Sequence, residues 1–175
     1  MASLSVQPDL LVRDLVRLLA DLAALHQELA GHAKEKLEAI RRADSDAITA
    51  ITAREMPLVE RLAEREGLRR QLTRRIAGAL GVEPGQADGI RVGELASRLP
   101  QPQAGQLLAA AAGLRQKVEE LKRLQRTTAL ITQEMLKHLN EVVAVMCGGR
   151  LPADSYTRGG QRVRPESAGV FEAVG

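Results

Sequence analysis

The sequence is almost without aromatic residues: one Phe, one Tyr and no Trp among 175 residues. Strands are enriched in aromatic and β-branched side chains, so a β-sandwich or barrel is disfavoured. Reading single-stranded nucleic acid by base stacking needs aromatic platforms, which are missing too. A single cysteine, Cys147, excludes an intrachain disulfide and fits a reducing compartment. Residues 1–11 lack the basic start and long apolar run of a signal peptide. No stretch supplies the roughly 18 uncharged apolar residues that a membrane span needs. A cytoplasmic, soluble protein with no membrane insertion is expected. Charge of one sign is also lacking: 25 basic residues face 22 acidic ones, for a net charge of +3. The signs are mixed along the chain, as on solvated helix faces. The densest basic cluster, Arg69, Arg70, Arg74 and Arg75, falls short of the one-sided patch of a nucleic-acid reader. No nucleic-acid partner is expected.

What the chain does have is aliphatic periodicity. Leu11, Leu15, Leu18, Leu22, Leu25 and Leu29 alternate steps of four and three, the a/d seam of a coiled coil. Pro8 and Asp9 suit a first helical turn. The register shifts at Ala33 and Leu37, a stutter that locally unwinds a supercoil. Asp44, Ser45 and Asp46 are capping types and mark a tight turn. A second pattern follows through Ile48, Ile51, Leu58, Leu62, Leu72, Ile76 and Leu80. Pro57 lies inside it, which predicts a kink or break near Met56. Gly81 is a natural C-terminal stop. Prolines and glycines then crowd residues 81–102, a connector in which Val92, Leu95, Ala96 and Leu99 suit a short helix. A third pattern runs from Gln103 through Leu107, Leu114, Leu121, Ile131, Leu139 and Met146 to Gly148-Gly149.

The expected fold is all-α: an elongated antiparallel helical hairpin plus a third long helix, a three-helix coiled-coil-like bundle. Helices are expected at about 9–42, 46–80 and 103–147, with the bundle covering 1–149. Residues 150–175 have no sustained periodicity and are expected to form a flexible tail.

A search for reaction chemistry finds none of the required spacings. His26 and His32 are six apart and point well round a helix from each other. His138 and Cys147, nine apart, stand on opposite sides of one, and no CxxC or HExxH occurs. Cys147 stands at a helix C-terminus, where the dipole raises a thiol pKa. Glu119 and Glu120 are adjacent and point in different directions. No phosphate-binding glycine loop is present. No enzyme activity, cofactor or metal is expected.

Binding surfaces remain. The third pattern has more apolar positions than one seam requires: Leu130 and Ile131 are neighbours, as are Val142 and Val143. Met135 and Met146 add adaptable side chains. The stripe is either a wide core face or a groove for a partner's amphipathic helix.

The order of these parts resembles the FlgN family of flagellar type III export chaperones. The run from Leu114 to Ile131 is similar to that family's leucine-spaced helix, with Thr127 and Thr128 where the family commonly carries asparagines. Tyr156 to Gln161 resembles its Tyr-x-x-x-Gly tail motif, with Gly160 in the glycine position. Val170-Phe171 resembles its aliphatic–aromatic step. The resemblance implies a cytoplasmic chaperone that binds the amphipathic terminal helices of hook-associated proteins and delivers them to export-gate components. It also implies a C-terminal cargo site. The positions for it are Leu130, Ile131, Met135, Leu139, Val142, Val143 and Met146, with Tyr156, Gly160 and Phe171 in a covering tail. A monomer or weak homo-oligomer is expected. The competing reading is a self-associating coiled-coil scaffold or adaptor that pairs through Leu11–Leu29.

Overall fold

The first helix starts where the backbone chemistry favours it. Proline's fixed φ suits a first turn, and an acidic residue there complements the helix dipole. The computed structural model describes residues 8–83, 85 and 89–146. Its helices are α1 (Pro8–Arg41), α2 (Ser45–Ala79), α3 (Val92–Ser97) and α4 (Gln103–Met146). No strand occurs among the described residues, and the fold is all-α. The chain divides into two units, Met1–Leu130 and Ile131–Gly175.

In the first unit the leucine seam of α1 is buried from Leu11 to Leu29, with Leu15 and Leu22 fully enclosed. Three ion pairs join α1 to α2: Asp21 with Arg65 at 3.3 Å, Glu35 with Arg54 at 2.8 Å, and Lys36 with Glu55. Positions rise along α1 as they fall along α2, so the two helices are antiparallel. The seam is consumed inside the chain and offers no face for a second copy.

The turn between them is three residues long, Arg42 to Asp44. The Asp44 amide donates to the Ala39 carbonyl at 2.9 Å and the Ala43 amide to the Ile40 carbonyl at 2.9 Å. This is a Schellman closure, which normally places glycine at the left-handed position. Here Ala43 holds it, at φ 53°. Asp44 then starts α2, its carboxylate accepting from the Ala47 amide at 2.9 Å. α2 ends in the same closure with the customary residue: Gly81 at φ 75°, and Val82 donating to the Ala77 carbonyl at 2.9 Å. Val82 is buried there, so the cap also seals the core.

α2 does not break at Pro57. Proline removes one helical hydrogen bond and strains the preceding turn, at about 3 kcal/mol. Ile51 and Leu58, on either side, are both buried. Burial stabilises by about 1.5–3 kcal/mol for each such side chain, which offsets the loss.

Two apolar clusters fix the three-helix arrangement. Leu15 and Leu19 of α1, Ile76 of α2, Leu95 of α3 and Leu107 of α4 share the first. Leu25, Leu29 and Ala33 of α1, Leu58 of α2 and Leu121 of α4 share the second. α4 therefore rises with α1 and opposes α2. Lys34 of α1 donates to Glu120 of α4 at 3.1 Å beside the second cluster. That hydrogen bond and its charge, with Lys117 adding to them, hold the Glu120 carboxyl below the usual carboxylate range. In the second unit, Ile131–Met146 form helix. The expected tail, 150–175, lies outside the described residues.

Candidate partner-binding face

In the first unit, α4 turns four of its leucines inward, while Leu108 is exposed. Leu107 and Leu121 are buried, and Leu114 and Leu124 pack against the two clusters. The hydroxyls of Thr127 and Thr128 donate back to the Arg123 and Leu124 carbonyls, at 3.1 and 2.9 Å. They are satisfied within the helix and leave its backbone intact. The unit also holds a cleft of about 310 Å³. Leu29 and Ala33 of α1, Val59 of α2, and Leu121 and Ala129 of α4 line it, with the Lys36–Glu55 pair at its edge. Met56 and Val59 of α2 are exposed large apolar residues. Leu130, the last residue of this unit, is 63% exposed.

In the second unit the helix from Ile131 to Met146 is two-sided. At about 100° per residue, Ile131, Val142, Met135, Met146 and Leu139 fall within roughly 80° of one another. Val143 and Leu136 widen that face to roughly 140°. Glu134, Lys137 and Glu141 stand on the other side. Leu139 is 55% exposed and Met146 81%, with Val142 and Val143 also exposed. Ile131 and Met135 are half-buried. Leu130 belongs to the first unit and is described there.

Six of the sequence-derived positions therefore share one helix face: Ile131, Met135, Leu139, Val142, Val143 and Met146. Tyr156, Gly160 and Phe171 lie outside the described residues, as does Cys147. Leu136, 55% exposed, belongs to the face although the sequence reading passed over it. Its signal was its place seven residues before Val143, two turns down the same side. The cleft residues Val59 and Ala129 were also missed. No periodicity marks them, because the cleft exists only once three helices are placed.

The polar chemistry is that of helix surfaces. Among the described residues, no three or more His, Cys, Asp or Glu converge to hold a metal ion. His26 Nδ1 donates to the Leu22 carbonyl of its own helix at 2.8 Å. Arg69 of the basic cluster donates to Glu66 at 2.9 Å, and Arg74 is engaged as well. No helix among the described residues is long and apolar enough to cross a membrane. A broad aliphatic helix face has the geometry that amphipathic helices dock on, read at i, i+3, i+4 and i+7.

The family model described as "FlgN protein" matches residues 10–164. No curated protein and no solved structure matches the chain.

Proposed function

The chain belongs to the FlgN family of flagellar export chaperones, and from that premise we propose that it binds hook-associated proteins in the cytoplasm. It takes their amphipathic terminal helices and delivers them to the export gate. The observation that carries this reading is the exposed aliphatic face of α4 from Ile131 to Met146. Secreted subunits that assemble only outside the cell carry apolar terminal helices with no partner inside it. Exposed apolar stripes of that kind aggregate. A helix face of matching width covers them, and Met135 and Met146 let it adapt to more than one sequence. The chaperone acts as a monomer or weak homo-oligomer, since its regular leucine seam is already buried.

The test is co-expression with a hook-associated protein, followed by size-exclusion chromatography. A stoichiometric complex is expected, and removing the cargo's terminal helix abolishes it. If no complex forms, and deletion of the gene leaves export intact, the proposal fails.

A further inference from the structure

The first unit carries an apolar cleft of its own. We propose that this cleft is a second docking site, which takes an acidic amphipathic helix of another protein and receives its bulky apolar side chains between α2 and α4. The proposal does not depend on what the face of residues 131–146 binds.

The inward face of α4 opens within the first unit. Leu121 is buried, yet Gln125 and Ala129, about 40° and 80° round from it, are exposed. The cleft of about 310 Å³ lies there, between Leu29 and Ala33 of α1, Val59 of α2, and Leu121 and Ala129 of α4. Ligand sites run from about 300 to 1,000 Å³, so this one has room for one or two large side chains and not for a whole helix. Its lip is apolar as well. Met56 is 61% exposed and Val59 53%, and exposed Ala63 continues the line one turn beyond Val59. Met56 stands about 180° round from Arg65, which reaches Asp21 of α1. Ala129 stands about 180° round from Glu120, which reaches Lys34 of α1. Both therefore face away from α1, and the groove between α2 and α4 opens on that side.

The charges select the occupant. Arg115, Lys122 and Arg126 of α4 fall within about 60° of Ala129, and Arg70 of α2 stands about 20° from Val59. Lys122 is balanced by Glu119 at 3.0 Å, Arg69 by Glu66 at 2.9 Å, and Lys36 by Glu55 at the cleft edge. Arg70, Arg115 and Arg126 then remain against one acid, Glu60. All four are exposed, and none has an ion pair among the described residues. An acidic edge on the incoming helix complements this excess while its apolar side fills the cleft, the helix-in-groove mode of recognition. A second copy of this chain is the less favoured occupant, because it brings the same positive excess to both sides of the contact.

The test uses the full chain with labelled methyl groups and a synthetic helix that carries Leu and Phe at i, i+3, i+4 and i+7 and Glu along its edges. Saturable shifts are expected at Met56, Val59 and Leu121, with Leu95 and Leu107 unmoved. Val59→Asp should weaken binding about tenfold or more. Ala129→Gln should do the same, because it narrows the mouth with a good helix former at an exposed position and so keeps the fold. Arg115→Glu combined with Arg126→Glu should weaken the Glu-edged peptide about tenfold and tighten a Lys-edged one by a similar factor. Equal binding of the two peptides to the unaltered chain overturns the proposal, as does binding that survives both Val59→Asp and Ala129→Gln. Binding lost with Val143→Asp but kept with those two variants assigns the peptide to the face of residues 131–146 and overturns it too. So does a concentration-dependent dimer, seen by light scattering and abolished by Val59→Asp, which gives the groove to a second copy. A hook-associated terminal helix that fails to bind leaves these expectations unchanged, so this site and the cargo reading fail separately.

Discussion

Replacing Val143 by Asp separates the binding face from the fold. Val143 is 49% exposed. Fully burying a valine side chain is worth about 1.5–3 kcal/mol, so the exposed half leaves about 0.8–1.5 kcal/mol for a partner to gain. Asp forfeits that gain and adds an unpaired carboxylate to a desolvated contact, at about 2 kcal/mol or more. Cargo affinity is expected to fall by about 3 kcal/mol, on the order of a hundredfold. The cost to folding is much smaller. Val143 lies in the last turn of the described helix, where an acidic residue opposes the dipole by about 0.3–1 kcal/mol. Val143→Lys removes that objection, because a cation there favours the helix, and it should block cargo equally. The assay is calorimetric titration of a cargo helix alongside thermal melting by circular dichroism. Leu107→Ala supplies the contrast. That leucine is fully buried, so its truncation should destabilise the bundle by about 2–5 kcal/mol while binding per folded molecule stays unchanged. If both Val143 variants lose helicity and melt early, or bind cargo as before, the assignment of this face is refuted.

Ala43→Gly should stabilise the protein by about 1 kcal/mol, measured by urea denaturation, because Ala43 holds a left-handed backbone that glycine adopts without strain. The Lys34–Glu120 link should be acid-sensitive. The folded carboxyl titrates below its ordinary range, so its contribution is complete above that range and is lost as pH falls through it toward the folded value. Denaturation against pH should show an acid limb that Glu120→Gln flattens. Truncation after Gly149 should leave the melting temperature of the bundle within a few degrees of the full chain, since both apolar clusters lie between Leu11 and Leu121.

Much of this was readable in the sequence, because helix burial follows period. The α1 seam and the inward leucines of α4 stand where steps of three and four put them. The Asp44 cap and the Gly81 stop follow from backbone chemistry that only a few residue types supply. The misses have equally physical causes. Pro57 signals a kink or a break, and of the two the break does not occur, because flanking burial at Ile51 and Leu58 outweighs a local penalty. Ala43 carries no mark of a left-handed turn, since alanine is an ordinary helix former. Leu136, isolated in the string, completes the face once angles replace order. The α1–α2–α4 cleft is invisible to any one-helix pattern.

Whether the α4 face of residues 131–146 receives a cargo helix is decided by methyl NMR, with a terminal-helix peptide of a hook-associated protein titrated into the labelled chain. Saturable shifts are expected at the methyl groups of Ile131, Met135, Leu139, Val142, Val143 and Met146, with Leu15, Leu95 and Leu107 unmoved. Shifts confined to other surfaces, or none at saturating peptide, would contradict it.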